Sequence, residues 1–321
     1  MKSIVDVPGI KVGHAQLSQE LTGCTVILTG ANGATAGVDI RGGAPGSRES
    51  ALLAPEKAVD KIHGLLLTGG SAFGLDAAAG VMEYLKEKKI GFKTGIMPVP
   101  IVPASVIFDL IIGEPAWPDA SLAYSACQSA SSSEMKRGNV GAGIGATIGK
   151  IKGPNFIMKS GVGTAYYKFT NGVSLGALVV LNAFGDVRCQ HTGQIIAGAY
   201  DRDNNKFLNT MATLEKSKTN KEFDIENTTL VVLATDAGLD KTKAKKIAEL
   251  GQNGLARSLS PVHTMLDGDT VYAVSTGDKE IDLSLLGNKA TEIISEAILD
   301  SIHSAEMIAG VPSLKYIKEN N

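Results

Sequence analysis

Apolar residues in this chain gather into short β-branched runs, at positions 24–28, 64–68, 140–148, 175–182, 229–235 and 270–276. Most are bounded by Gly, Asn or Asp, and this pattern predicts strands. Helical spacing appears between them. Leu75, Ala78, Ala79, Met82 and Leu85 recur after Gly70, and Ile247, Leu250 and Leu255 follow Asp240, a suitable N-cap. Over 291–309, Ile294, Ala297, Ile298, Ile302, Ala305 and Met307 trace a third, longer helix. Several strands follow one another with no helix between, so strict βαβ alternation is absent. The pattern implies an α/β protein of sheets layered with helices and not a simple doubly wound sheet. There is no internal repeat of fixed period.

One stretch departs from this rhythm. Residues 200–227 are polar and charged, and read as an exposed connector. The strongly apolar TTLVVLATDA begins immediately afterwards at Thr228. A loop ending where a buried strand starts suits chain scission, although any long loop before a strand looks the same.

Composition narrows the function classes. With 44% hydrophobic and 20% charged residues, the 321-residue chain is ordinary globular material, enough for one large domain or two smaller ones. A formal net charge of −2 gives no bulk attraction to nucleic acid or an anionic membrane. The basic run at 241–246 reads as the solvated face of a helix. Cys24, Cys127 and Cys189 are an odd, scattered set that supports neither a disulfide framework nor a zinc site. The N-terminus lacks a continuous apolar segment, and nothing approaches the roughly 18 apolar residues that span a bilayer. The expectation is a cytoplasmic protein without membrane or nucleic-acid partners. The 37 glycines are clustered, which implies tight turns or close backbone approaches.

Several motifs invite chemistry. RGNVGAGIGATIGK (137–150) loosely matches a dinucleotide-binding glycine pattern, and this loop would serve a noncatalytic small-molecule-binding protein. However, β-branched residues follow where a helix should, and Ile151 replaces the Ser or Thr of a phosphate loop. A crowded glycine strand with Lys150 turned inward describes it better. In TGGSAFGLDAA, Ser71 lacks the final glycine of a hydrolase elbow and reads as a helix cap or binding-loop residue. The five histidines are dispersed without metal-ligand spacing. Asp267 and Asp269, flanking Gly268 before a strand, suit either a turn or two carboxylates sharing one site.

Taken in order, RGGAPGSRE, LTGGSAFGLDAA, VGAGIGATIGK, LVVLNAFGDV, ENTTLVVLATDA and PVHTMLDGDTVYAVST resemble the L-aminopeptidase/D-amino-acid esterase-amidase family, which includes the β-peptidyl aminopeptidases. The catalytic positions resemble those of nylon-oligomer (6-aminohexanoate-oligomer) hydrolases. The segments span about residues 37–277, and their combination is highly specific. The resemblance implies a four-layer αββα sandwich of the N-terminal-nucleophile type, spanning 1–321 as one domain. It further implies self-cleavage between Asn227 and Thr228 into chains 1–227 and 228–321, and assembly as a homo-oligomer, often a tetramer of processed pairs. Thr228 would then be the nucleophile, supported by Asp267 and Asp269, with Lys150 and Asn182 stabilising the oxyanion. Its new α-amine, with a pKa of about 8 in peptides, would take the hydroxyl proton. Thr229, the rival hydroxyl, would gain no such amine and would face the opposite side of a strand. No metal or cofactor is implied. The expected substrates are small peptides, amino-acid amides or ω-amino-acid oligomers, with endo-hydrolysis of nylon oligomers as the alternative. Phe108 stands where nylon-oligomer hydrolases carry a tyrosine near the substrate, which removes one polar contact.

Overall fold

The computed structural model describes residues 2–216 and 227–320. Residues 217–226, the latter part of the expected connector, lie outside the described residues. The connector's earlier part is more ordered than its composition implied. Strands Tyr200–Asp201 and Lys206–Phe207 pair as a hairpin, and a helix spans Thr210–Lys216. Thr210 anchors that helix, since its N–H and hydroxyl both donate to the buried Asp186 carboxylate.

Two sheets carry the architecture. The first is built from β1 (Lys11–Leu17), β2 (Thr22–Leu28), β4 (Ser47–Arg48), β6 (Gly64–Thr68) and β7 (Ala104–Val106), in the order β1-β2-β6-β7-β4. The second uses β3 (Ala34–Ile40), β5 (Lys61–Ile62), β8 (Val162–Lys168), β9 (Ser174–Asn182), β10 (Thr228–Ala237) and β11 (Thr270–Lys279), in the order β8-β9-β10-β11-β3-β5. Helices α1 (Ala78–Glu87) and α2 (Ala120–Gln128) cover the first sheet. Helices α3 (Lys241–Ser258) and α4 (Leu283–His303) cover the second.

Period-two alternation produces the four layers. Leu178, Val180, Leu230, Val232, Ala234, Tyr272 and Val274 face Ile27, Leu65 and Leu67 between the sheets. Their neighbours Val179, Leu181, Val231, Leu233, Val271 and Ala273 pack outward against Ile247, Leu255, Ile293 and Ile294 of α3 and α4. Across the gap, the Tyr272 and Ser105 hydroxyls bond at 2.7 Å and tie β11 to β7. The αββα reading therefore holds.

Other expectations need correction. The 140–148 run is mostly not a strand: Gly141–Gly143 form a short 3-10 turn, and only Thr147–Ile148 pair as a strand. The final helix begins earlier than its apolar pattern and ends at His303, capped at its start by Asp282, which accepts from Leu285 N–H. Asp240 caps α3 as expected. Lys241, however, is not on a solvated face. Its ammonium is buried and donates to the carbonyls of Leu52, Lys57 and Val59.

Close backbone packing of helix on sheet depends on glycine. A Cβ at Gly163 of β8 would sit 2.1 Å from the Ala297 carbonyl oxygen of α4. Gly163→Ala is therefore expected to destabilise the protein by about 1–3 kcal/mol, read as a lowered urea unfolding midpoint.

Candidate active site

The register of β10 places the candidate nucleophile. Thr228 pairs with Asn182 at the end of the antiparallel β9–β10 ladder. It has the same parity as Leu230 and Val232, so it faces the space between the sheets. Just upstream, Asn227 forms a parallel bridge with Asp267: Asn227 N–H donates to Leu266 O at 2.9 Å, and Gly268 N–H donates to Asn227 O at 2.8 Å. The Thr228 hydroxyl donates to that same Asn227 carbonyl oxygen at 2.5 Å.

Segments distant in sequence converge here. The RGGAPG stretch crosses the Asp-Gly-Asp turn, with Arg41 N–H on Asp269 O, Gly43 N–H on Thr264 O and Ala44 N–H on Asp267 O. Asp269 Oδ1 accepts Thr229 N–H at 2.7 Å, and its Oδ2 lies 2.9 Å from His263 Nδ1 and accepts His263 N–H. Asp267 Oδ2 accepts Thr264 N–H at 2.6 Å. On the opposite side, Lys150 Nζ donates to Asn182 Oδ1 at 2.9 Å and to Asn182 O at 3.2 Å. Asn182 Nδ2 donates to Phe108 O at 3.0 Å. Phe108 thus meets the cluster through its carbonyl, while its side chain is half-buried.

Three participants gave no warning in the spacing. His263, one of five histidines scattered along the sequence, braces Asp269. Asp109 lies buried under the glycine turn, accepting Gly70 N–H at 2.7 Å and the Thr22 hydroxyl at 2.8 Å. Lys159 is fully buried, and its ammonium donates to the carbonyls of Gly143, Ala146 and Ser160. A lone acid ending the apolar run VIFD and a lone lysine within FIMKSGVG were the available signals.

Ser71 does not cap the following helix. Gly70, at φ +81°, occupies the cap position, and the turn is held from loop 107–109: Ser71 N–H donates to Ile107 O and Gly70 N–H to Asp109. The elbow presents Phe73 to solvent, stacked on Trp117 with ring centroids 4.6 Å apart.

The glycine loop offers no ligand cradle. A Cβ at Gly141, Gly143 or Gly145 would lie within about 2.5 Å of Thr25 Oγ1, Val162 N or Leu21 O respectively. These glycines admit neighbouring protein, and Lys150 points inward from the loop's end. Among the described residues, no group of three or more His, Cys, Asp or Glu is placed to hold a metal ion. Among the described residues, no helix is long and apolar enough to cross a membrane.

Burial dominates the electrostatics. It pushes the ammonium groups of Lys150 and Lys159 down to about 7, against the pull of Asp267 and Asp109 on Lys150 and of Asp109 on Lys159. It also raises Asp267 and Asp109 to about 6. Repulsion from Asp269 adds to the rise at Asp267, while the Thr264 hydrogen bonds and Lys150 oppose it. A hydroxyl on a carbonyl, with carboxylates and low-affinity ammonium groups around it, suits acyl transfer.

The layered fold is that of solved structures with the N-terminal-nucleophile-hydrolase fold. The model for peptidase family S58 matches residues 2–315, so the chain belongs to that family and hydrolyses amide bonds. An uncharacterized aminopeptidase of Mycobacterium tuberculosis is 38% identical, with 98% of this chain and 97% of that protein covered. A 6-aminohexanoate-oligomer endohydrolase from a Kocuria species is 29% identical over 92% of this chain and 84% of its own length. Among solved structures, a Burkholderia β-aminopeptidase superposes with a TM-score of 0.73 at 20% identity, covering 99% of this chain and 92% of that one. The L-aminopeptidase D-Ala-esterase/amidase of Ochrobactrum anthropi gives 0.72 at 18% identity, with coverage of 97% and 88%.

The buried lysines set a pH dependence of stability. Between about pH 7 and 10.5 the unfolded chain holds a proton on Lys150 that the folded chain has lost, so the cost of burying this ammonium is progressively relieved as pH rises. The melting temperature of Lys150→Met is expected to rise less than that of the parent between pH 7 and 9.

Proposed function

We propose that the chain cleaves its own Asn227–Thr228 bond, and that Thr228, as the new N-terminus of 228–321, hydrolyses amide bonds through an acyl ester. The observation carrying this reading is the Thr228 hydroxyl at 2.5 Å from the carbonyl oxygen of the bond to be cut. The hydroxyl points at its own preceding carbonyl inside a buried charge cluster, and attack there frees the α-amine that activates the hydroxyl for later turnovers. Thr229 is a poorer candidate, because its parity turns it from the inter-sheet space and its N–H is committed to Asp269.

In the cleaved enzyme, the Thr228 amine accepts the hydroxyl proton as the oxygen attacks a substrate carbonyl. Asp267 and Asp269 orient the amine. Lys150 and Asn182 donate to the oxyanion, typically a large contribution to acyl-transfer catalysis. The amine leaves, water attacks the ester, and Thr228 is regenerated. In the uncut chain Thr228, Asp267, Asp269, Lys150 and Asn182 are all buried, so release of the Asn227 end is also what opens the site to substrate.

Small peptides, amino-acid amides and ω-amino-acid oligomers fit this chemistry, in keeping with the aminopeptidase and endohydrolase relatives. We assign Ser71 and Phe108 to the substrate side, since their loops border Asp109 and Asn182. Assembly as a homo-oligomer of processed pairs belongs to the same reading.

Intact-mass analysis is expected to show fragments 1–227 and 228–321 for the parent. Thr228→Ala should remain one chain and lose amide hydrolysis, whereas Thr228→Ser, which keeps a hydroxyl, should still cleave. A Thr228→Ala protein that is cut at this bond, or hydrolyses amides at the parent rate, would overturn the mechanism.

A further inference from the structure

Thr228 cannot use its α-amine for the first cut, because that nitrogen is still part of the peptide bond. The groups assigned to the substrate's oxyanion have other partners in the uncut chain and make no hydrogen bond to the Asn227 carbonyl oxygen. Asn182 Nδ2 donates to Phe108 O, and Lys150 Nζ donates to the Asn182 carbonyl oxygen and Oδ1. The carbonyl to be attacked instead receives a backbone donor, Gly268 N–H at 2.8 Å. That distance is what an oxyanion donor requires.

We propose that the backbone amide of Gly268 is the oxyanion donor for self-cleavage, a catalytic role separate from that of Lys150 and Asn182 toward substrates. The proposal rests on Thr228 being the nucleophile. In the step, Thr228 Oγ1 bonds to the Asn227 carbonyl carbon, and the carbonyl oxygen takes up negative charge facing Gly268 N–H. The bond from that carbon to the Thr228 nitrogen then breaks as the carbonyl reforms, and the hydroxyl proton ends on the nitrogen. Water hydrolyses the resulting ester, leaving an Asn227 carboxylate and a free Thr228 hydroxyl and amine.

The surroundings explain why position 268 is glycine. A Cβ there would lie 2.9 Å from Thr228 Oγ1, 2.8 Å from Ala44 O and 3.0 Å from Pro45 Cα. The residue is not needed for a left-handed turn, since its φ is not in that region. It is needed so that the backbone N–H can reach the carbonyl while the nucleophile keeps its space. The two halves of the scissile peptide are held independently: residues 266–268 clamp the acyl half through Asn227, and β9 holds the amine half through the Asn182–Thr228 register. The bond is thus fixed on both sides while a hydroxyl and an N–H address its carbonyl.

Incorporating glycolic acid at position 268 replaces the N–H by an ester oxygen and adds no bulk. Self-cleavage, followed by intact mass, is expected to slow roughly 10²–10³-fold, with the circular dichroism of the parent retained. Cleavage at the parent rate would overturn the proposal. A measurement independent of that variant's folding uses the uncleaved Thr228→Ala chain labelled with ¹⁵N and ¹³C. A through-hydrogen-bond coupling between the Gly268 amide nitrogen and the Asn227 carbonyl carbon is expected, and its absence in a folded sample would equally count against the proposal. Failure here is distinguishable from failure of the nucleophile assignment. If Thr228→Ala is itself cut, that assignment falls; if only the glycolate chain cuts normally, the Gly268 role alone falls.

Discussion

The candidate site depends on the register of one central strand. Strand β10 lies between β9 and β11, antiparallel to the first and parallel to the second, and its side chains alternate between two cores. A slip of one residue would send Thr228 toward the helices and bring Thr229 between the sheets. Because both faces are packed with large apolar residues, such a slip would misplace every one of them. Core packing therefore fixes the position of a hydroxyl at the strand's very first residue, where only one neighbour in the sheet begins to hold it.

Charge adds a second constraint on the same region. Two lysines and three aspartates are buried near the strand ends, and their ammonium and carboxyl groups are satisfied mainly by backbone carbonyls and N–H groups. Burial brings the proton affinities of Lys150 and Asp267 close together, at about 7 and about 6. The clamps around Asn227 and Thr228 hold the bond proposed to be cut beside these buried charges.

Much of this was legible in the sequence, and the limits were physical. The runs that became β2, β6, β9, β10 and β11 were visible because these strands are buried on both faces and read as continuous apolar stretches. Strands β1 and β3 are partly exposed and interrupted by Gly13, His14, Gly37 and Asp39, so they escaped notice. The glycines after 140 were read as strand because clustered glycine beside isoleucine does not reveal whether the glycine serves a turn or a close approach; here it serves both. Thr228, Asp267, Asp269, Lys150 and Asn182 were legible through family resemblance, and they are brought into one neighbourhood. His263 and Asp109 were not, since His263 meets Asp269 across a turn and Asp109 meets Gly70 N–H and the Thr22 hydroxyl, relations that no spacing rule encodes. Lys241 misled because three carbonyls from residues 52–59 desolvate it, and only the folded chain brings them there.

The central claim is that Thr228, as a chain terminus, carries the acyl group during turnover. Acid quenching of the enzyme while it turns over a slow amino-acid ester, followed by mass analysis and peptide mapping of chain 228–321, reads this directly. The account predicts the acyl increment of the substrate on Thr228 of the cleaved chain. Turnover with the Asn227–Thr228 bond intact, or with the acyl group mapped to another residue, would contradict it.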